Sequence, residues 1–341
     1  MMVDWLTCRV PVCLEAPIAD GHTIELDASG EIRRCTPHRL KVPGSFSSSL
    51  LVRAVGLDEL EIQGNPAKWL AGHNLWGLDC PAALLRAALD RLWGILGLDP
   101  LKVLPGPLAA LQGVIFTRVD LTAMYELGSR AEVLAWLRSA QHQASIPHRG
   151  RGVFREGSLI LGSAKGKAFT RWQIVCYSKG QEVAAHPLPE PVLSDDQLSS
   201  WVDRQLRIEV RFGRHELKET GRRFLSSWEG GEMAAKLYDE KIALIQFQAT
   251  EQADLTLLST RVQFTIHAWR QGMDLRAVLS KPTFYRHRRE ILDALGVDIN
   301  IPPPPKPESN VVPLFRVLEA RPVGRPDFAD RIDALLRAAA S

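Results

Sequence analysis

The sequence predicts an α+β protein, with antiparallel sheets from a candidate duplicated ββαβ unit followed by a mostly helical C-terminal region. Three observations carry that reading. Short β-branched runs with partial two-residue alternation are interleaved with segments of helical apolar spacing. Two strands, a helix and a third strand occur before residue 125, and the same order recurs between 158 and 212. Beyond Arg214 the pattern is mostly helical to about Leu295. Antiparallel sheets with helices on one face are the natural packing of such a repeat.

The elements follow in order. Ser49–Val55 and Glu59–Gln63 are short β-like runs, and Pro81–Leu98 repeats apolar residues at Leu84, Leu85, Ala88, Leu92 and Ile95 as a helix does. Val114–Met124 is β-branched and carries Arg118 and Asp120 inside it. Ser129–His142 reads as a helix opened by a capping box of Ser129 and Glu132. Ser158–Gly162 and Phe169–Tyr177 form a hairpin around Ser163-Ala164-Lys165-Gly166-Lys167. Ser194–Arg204 is a helix with Ser194 at its N-cap, and Gln205–Phe212 is a strand. The proline run Pro302–Pro307 is stiff and extended, so the last ~35 residues form a tail of separate character, because proline breaks helices.

Composition narrows the class. With 341 residues, 45% hydrophobic and 24% charged, the chain is an ordinary globular protein of one large domain or two compact ones. Five scattered cysteines without CxxC spacing argue for a reducing compartment and against a disulfide scaffold or zinc ribbon. The N-terminus has an acid where a signal peptide wants basic residues. No apolar run approaches the ~18 residues of a membrane helix. The expectation is a soluble, cytoplasmic protein.

Net charge is only +3, but it is unevenly spread. Arg149, Arg151, Arg155, Lys165, Lys167, Arg171 and Lys179 face only Glu156. Arg261, Arg270, Arg276, Lys281, Arg286, Arg288 and Arg289 face only Asp274. Two basic tracts in a near-neutral protein suggest surfaces for a polyanion, although a pair of solvated faces explains the charges equally well.

Four islands concentrate chemistry-bearing residues. Gly64-Asn65-Pro66-Ala67-Lys68-Trp69-Leu70-Ala71-Gly72-His73-Asn74 presents an imidazole at a loop tip, a metal ligand or general base; a structural hydrogen-bonder is the commoner role for a lone His. In Thr117–Thr122, alternation puts Arg118, Asp120 and Thr122 on one face. That is either an ion pair or a carboxylate offered to a hard cation. The loop of Lys165 and Lys167 suits phosphate approach but fails the Walker register, because Ala168 follows Lys167. Tyr177 ends a β run with Lys179 two residues on, an arrangement that favours the phenolate a phosphate-attacking tyrosine needs; core packing is the commoner fate of a strand tyrosine. Arg207-Ile208-Glu209-Val210-Arg211 again flanks a carboxylate with cations on one strand face.

In this order the islands resemble the gene II/X replication initiators of filamentous bacteriophages. The resemblance rests on Asn65–Lys68 with Gly72–Asn74, Thr117–Asp120, Arg207–Arg211, and the late stretches Asn310–Arg316 and Arg325–Asp327. The second half is also similar to the rolling-circle plasmid initiators of Gram-positive bacteria, whose hairpin tyrosine, the nucleophile, matches Tyr177. The resemblance implies strand-specific nicking at an origin that leaves a 3′-OH, followed by cutting and rejoining of the displaced strand. It implies Mg²⁺ or Mn²⁺ held by Asp120, Glu209 and His73, attack by Tyr177, and charge stabilisation by Lys179 with Lys165 or Lys167. No His-hydrophobe-His pair is present, and Gln63 stands where the plasmid group has Glu.

Ser280–Arg289, after the helical run Ala268–Leu279, resembles the second helix of a helix-turn-helix. The expected division is a nicking domain over 1–260 with related halves at about 1–128 and 150–225, a DNA-binding segment over 261–300, and a linker and tail over 301–341. Lys165, Lys167, Arg171, Arg207, Arg211, Arg286, Arg288 and Arg289 are the expected DNA contacts. The implied partners are double- and single-stranded phage origin DNA, with host helicase and replication machinery, an oligomer on the origin, and no membrane. A non-catalytic DNA-binding regulator and a plasmid initiator are the competing readings; the set Asp120, Tyr177, Glu209 favours the enzyme over the first, and Asn310–Arg316 favours the phage branch over the second.

Overall fold

In the computed structural model, strand alternation and register build antiparallel sheets, as the sequence suggested, the largest of them nine-stranded. The structure describes residues 1–107, 111–162, 171–230, 232–247, 258–295, 297–301 and 322–340, with single residues at 255, 303 and 317. The nine strands are β1 (Met2–Pro11), β2 (Leu40–Pro43), β3 (Ser49–Val55), β4 (Glu59–Gly64), β5 (Ile115–Glu126), β6 (Val153–Arg155), β7 (Ser158–Leu161), β8 (Trp172–Ser178) and β9 (Gln205–Gly213). Their order is β6-β7-β8-β9-β5-β1-β4-β3-β2, antiparallel throughout.

The segments of the two expected halves are neighbours in the sheet. The two halves meet where β5 pairs with β9, and Leu121 lies opposite Val210. Beside that pair the register sets Asp120 opposite Arg211 and Thr122 opposite Glu209. The first half departs from the repeat because β1 is inserted between β4 and β5. The sequence reading missed β1, β2 and the hairpin His22–Leu26/Ile32–Pro37.

One sheet face is apolar. Leu6, Cys8, Val119, Leu121, Ile174, Cys176, Ile208 and Val210 are buried there, beneath helices α1 (Pro66–Ala71), α2 (Pro81–Leu96), α3 (Arg130–Gln143) and the later helix Met233–Ile242. At about 25 cal/mol per Å² of apolar surface, this core is the main source of stability. Ser129 caps α3 by accepting from the Glu132 amide, as the capping box predicts.

The other face is polar, and helices cover only part of it. Helices α4 (Lys179–Ala185) and α5 (Asp196–Asp203) lie there; α5 is capped by Asp195, not Ser194, since the Asp195 carboxylate accepts from the Leu198 amide at 2.8 Å. The helix Ala329–Ala340 at the far end of the described chain joins them. Its Ile332 and Leu336 share a small core with Leu75, Met124, Leu198, Trp201 and Val202. The C-terminal segment therefore docks on the sheet domain and is not a separate tail. Asn310–Arg316, Lys165, Lys167 and most of Pro302–Pro307 lie outside the described residues.

Residues 258–299 enclose a core of their own around Val262, Ile266, Trp269, Phe284 and Ile291. The run Ala268–Leu279 is not one helix: a helix ends at Arg270, Gly272 turns with φ +81°, and only Leu275–Val278 is helical before Lys281–Leu295 begins. All five cysteines are free thiols. Among the described residues no helix is long and apolar enough to cross a membrane.

Candidate active site

Alternation along β9 sends Ile208 and Val210 into the core and Arg207, Glu209 and Arg211 to the polar face. In register beside them, Asp120 lies opposite Arg211, Thr122 opposite Glu209, and Tyr177 opposite Arg207. On β1 the register slips between Val3 and Trp5, so Val3 lies opposite Leu121 and Trp5 opposite Asp120. That bulge leaves Asp4 as the extra residue and puts it and Trp5 on the same polar face. Gly72 caps α1 at φ 85°, a left-handed turn that leads the chain into His73 and Asn74.

Two linked networks result. In the outer one, the Tyr177 hydroxyl donates to Glu209 Oε1 at 2.6 Å. Glu209 Oε2 accepts from Arg211 Nε and Nη2 at 3.0 and 2.8 Å. Arg211 Nε lies 3.7 Å from Asp120 Oδ2, and Arg118 grips Asp120 through Nε at 2.9 Å and Nη2 at 2.5 Å. In the inner network the fully buried Arg207 donates to Thr122 Oγ1 at 3.0 Å, to Asp4 Oδ1 at 2.6 Å and to the Asn74 carbonyl. Asn65 and Asn74 each donate to the same Asp4 oxygen at 2.8 Å. Lys179 donates to Asn74 Oδ1 at 2.9 Å and to Glu182.

The electrostatics follow from burial. Desolvation raises Asp120 to about 6 against the pull of Arg118 and Arg211. Burial likewise raises the Tyr177 hydroxyl well above its ordinary value, with Arg207 opposing. Burial, and then Arg207, lower the Lys179 ammonium to about 8. The resting tyrosine is thus a phenol, not the expected phenolate. Its proton faces a carboxylate, and Lys179 sits in α4 bonded to Asn74 and Glu182. A cleft of about 320 Å³ opens beside this pair, lined among others by Ser158, Tyr177, Gln181, His186, Glu209 and Arg211.

The structure gathers Tyr177, Glu209, Asp120 and Arg211 as expected and sends other expected residues elsewhere. His73 is 2% exposed and has both ring nitrogens engaged: Nδ1 accepts from the Leu75 amide at 3.2 Å and Nε2 donates to Asp333 at 2.9 Å. Arg207 is no DNA contact, because it is buried and fully bonded within the protein. Arg171 is half exposed and forked onto Glu219. Arg288 is forked onto Asp298 at 2.6 and 2.7 Å, while Arg286 and Arg289 are exposed. Within the first basic tract, Arg149 stacks 4.3 Å over Trp172 and donates to the Gly162 and Trp172 carbonyls.

The sequence reading missed Asp4, Asn74 as a hub, and Asp333. Asp4 was visible as a lone charge among the apolar residues Met2, Val3 and Leu6, but only the bulge explains it.

For a divalent cation the donor set does not fit as it stands. Asp120 and Glu209 are each already held by a guanidinium, and His73 has no free nitrogen. Among the described residues no group of three or more His, Cys, Asp or Glu side chains could hold a metal ion.

Comparison with known proteins gives the family. The family model for the N-terminal part of the phage replication-associated protein, the gene II protein, matches residues 2–231, and the model for its C-terminal part matches 252–331. The replication-associated protein of this type from Enterobacteria phage I2-2 is 31% identical, with 97% of each chain covered. A solved rolling circle replication initiator protein from Geobacillus stearothermophilus aligns over 74% of this chain and 88% of its own, with 12% identity and a TM-score of 0.34. The molecule is thus of the phage replication-associated class. The chain belongs to the gene II replication-associated protein family.

Proposed function

We propose that this protein starts phage DNA replication by nicking one strand of the origin, with Tyr177 as nucleophile. The observation that carries the reading is the 2.6 Å hydrogen bond from Tyr177 to Glu209 at the cleft. Of the four tyrosines, Tyr125 and Tyr238 are buried against each other in the core, their hydroxyls 3.5 Å apart. Tyr285 stands in the separate C-terminal helical unit.

Glu209 accepts the phenol proton as the tyrosine oxygen attacks the scissile phosphorus. The P–O3′ bond breaks, the 3′ oxygen takes a proton to become the priming 3′-OH, and the phosphoryl group stays on Tyr177. Religation reverses these steps from a 3′-OH. Arg211 lies where it can neutralise charge growing on the phosphoryl oxygens. Asp120 holds Arg118 and Arg211 in place, and the inner network fixes the loop around Asn74. The expected Mg²⁺ or Mn²⁺ has no fitting site in this arrangement, and no step above uses it. The same reading gives origin DNA, double- and single-stranded, as partner, host helicase and replication machinery as collaborators, and the host cytoplasm as the place of action.

Incubation with supercoiled origin plasmid tests the proposal. The wild type should yield nicked circles and a protein–DNA adduct mapping to Tyr177. Tyr177→Phe keeps the ring and should lose both while still binding the origin. Nicking by the Phe variant, or an adduct at another tyrosine, overturns the assignment.

A further inference from the structure

The polar sheet face does not end at the Tyr177 cleft. It continues across β5, β1, β4 and β3 through Arg118, Trp5, Thr7, Arg9, Gln63 and Arg53. Trp5 is the unusual member. It is half-buried, lies opposite Asp120, and holds a fixed pose: its Nε1 donates to Thr7 Oγ1 at 3.2 Å and the Arg118 guanidinium sits 5.1 Å from its ring centre. The exposed chemistry around it is cationic. The side chains of Arg211, Arg118, Arg9 and Arg53 are 27, 29, 39 and 19% exposed, whereas Glu209, Asp120 and Glu61, which hold them, lie deeper at 4, 2 and 11%. Glu59, which pairs with Arg9, lies nearer the rim at 34%.

We propose that Trp5 is a base-stacking platform for single-stranded DNA, seating a nucleotide a few positions along the strand from the scissile phosphate while the arginine row tracks the backbone. The inference rests on the nicking reading and adds to it how the strand is held. A half-open indole bordered by guanidinium groups is the combination that binds unpaired nucleotides. A duplex hides its base faces, so the occupant is a single strand. Continuity with Asp120 and Arg211 places that strand's phosphate at the nicking residues.

The test uses the full-length protein and fluorescence anisotropy with a single-stranded origin oligonucleotide and its duplex. Trp5→Leu should weaken single-strand binding roughly tenfold and leave duplex binding unchanged, with Trp5→Phe recovering most of the loss. Equal losses on both DNAs, no loss, or Phe behaving like Leu overturns the platform. Should Trp5→Leu fail to fold, 2-aminopurine placed in turn at each of the few positions flanking the scissile phosphate gives a second reading at the position most quenched by wild type. Its fluorescence should be quenched on binding wild type and less so on binding Trp5→Phe; equal emission with both proteins overturns the proposal. Tyr177→Phe separates the two ideas: it should bind single strands as wild type does, and if it still nicks, the nicking assignment fails independently of Trp5.

Discussion

Asp120 shows how a single side chain trades stability for position. Its folded value of about 6 lies above the ordinary carboxylate value near 4, so the fold favours the protonated form. The stability it contributes is complete below about pH 4 and is lost as pH rises through 6, by an amount of order 1–3 kcal/mol. Asp120→Asn should therefore match wild type near about pH 4 and exceed it near about pH 8 in urea unfolding, while nicking falls. A variant less stable than wild type at the higher pH would show that the Arg118 and Arg211 attractions outweigh burial. At this scale the sequence was partly legible. The alternation that put Arg207, Glu209 and Arg211 on one face held, as did that of Arg118 and Asp120. Depth was not legible: Arg207 and Arg211 look alike in the sequence, yet one is sealed beneath Asp4 and Asn74 and the other reaches the cleft.

Among elements, the helix Lys281–Leu295 departs most from its expected use. Phe284, His287 and Ile291 anchor it, and Thr265 meets His287 Nδ1 at 2.8 Å. Arg286 and Arg289 remain outward, while Arg288 is committed to Asp298. Replacing Arg286 and Arg289 by Ala should weaken origin binding and lower its salt slope by roughly one unit per lost phosphate contact. Arg288→Ala should instead act on the thermal stability of residues 258–299, and its salt slope should stay near wild type. If all three arginines change the slope alike, the ion pair with Asp298 opens on DNA. Charge density along the chain revealed the basic run, but the acid that consumes Arg288 follows it in sequence and meets it only through folding.

At the scale of the whole molecule, the helix Ala329–Ala340 ties the far end of the chain to the first half of the sheet domain. Asp333 receives His73 at 2.9 Å, Trp76 at 3.0 Å and Arg325 at 2.5 Å. Despite partial burial, these donors hold its carboxyl at about 2, below the ordinary value. A depressed value stabilises above about pH 4 and loses its effect as pH falls through 2. Asp333→Asn should thus unfold more easily than wild type at neutral pH, the difference closing in strong acid, and hydrogen exchange of residues 72–76 should quicken. Unchanged exchange there would mean that the loop stands without the helix. The fold class and the strand carrying Tyr177 were readable because periodicity is local. The docking of this helix and the place of β1 were not, because both depend on partners far along the chain.

The position of β1 also has a consequence for how the chain is made. It precedes β4 and β5 in the chain, yet it ends as an interior strand between them. At translation rates of about 5–20 residues per second, its β5 partner emerges on the order of ten seconds later. Until then one edge of β1 stays unpaired even after β4 has been made, which is the condition under which nascent chains pair with each other. A chaperone that shields nascent β1 should therefore raise the soluble fraction of this protein on co-expression.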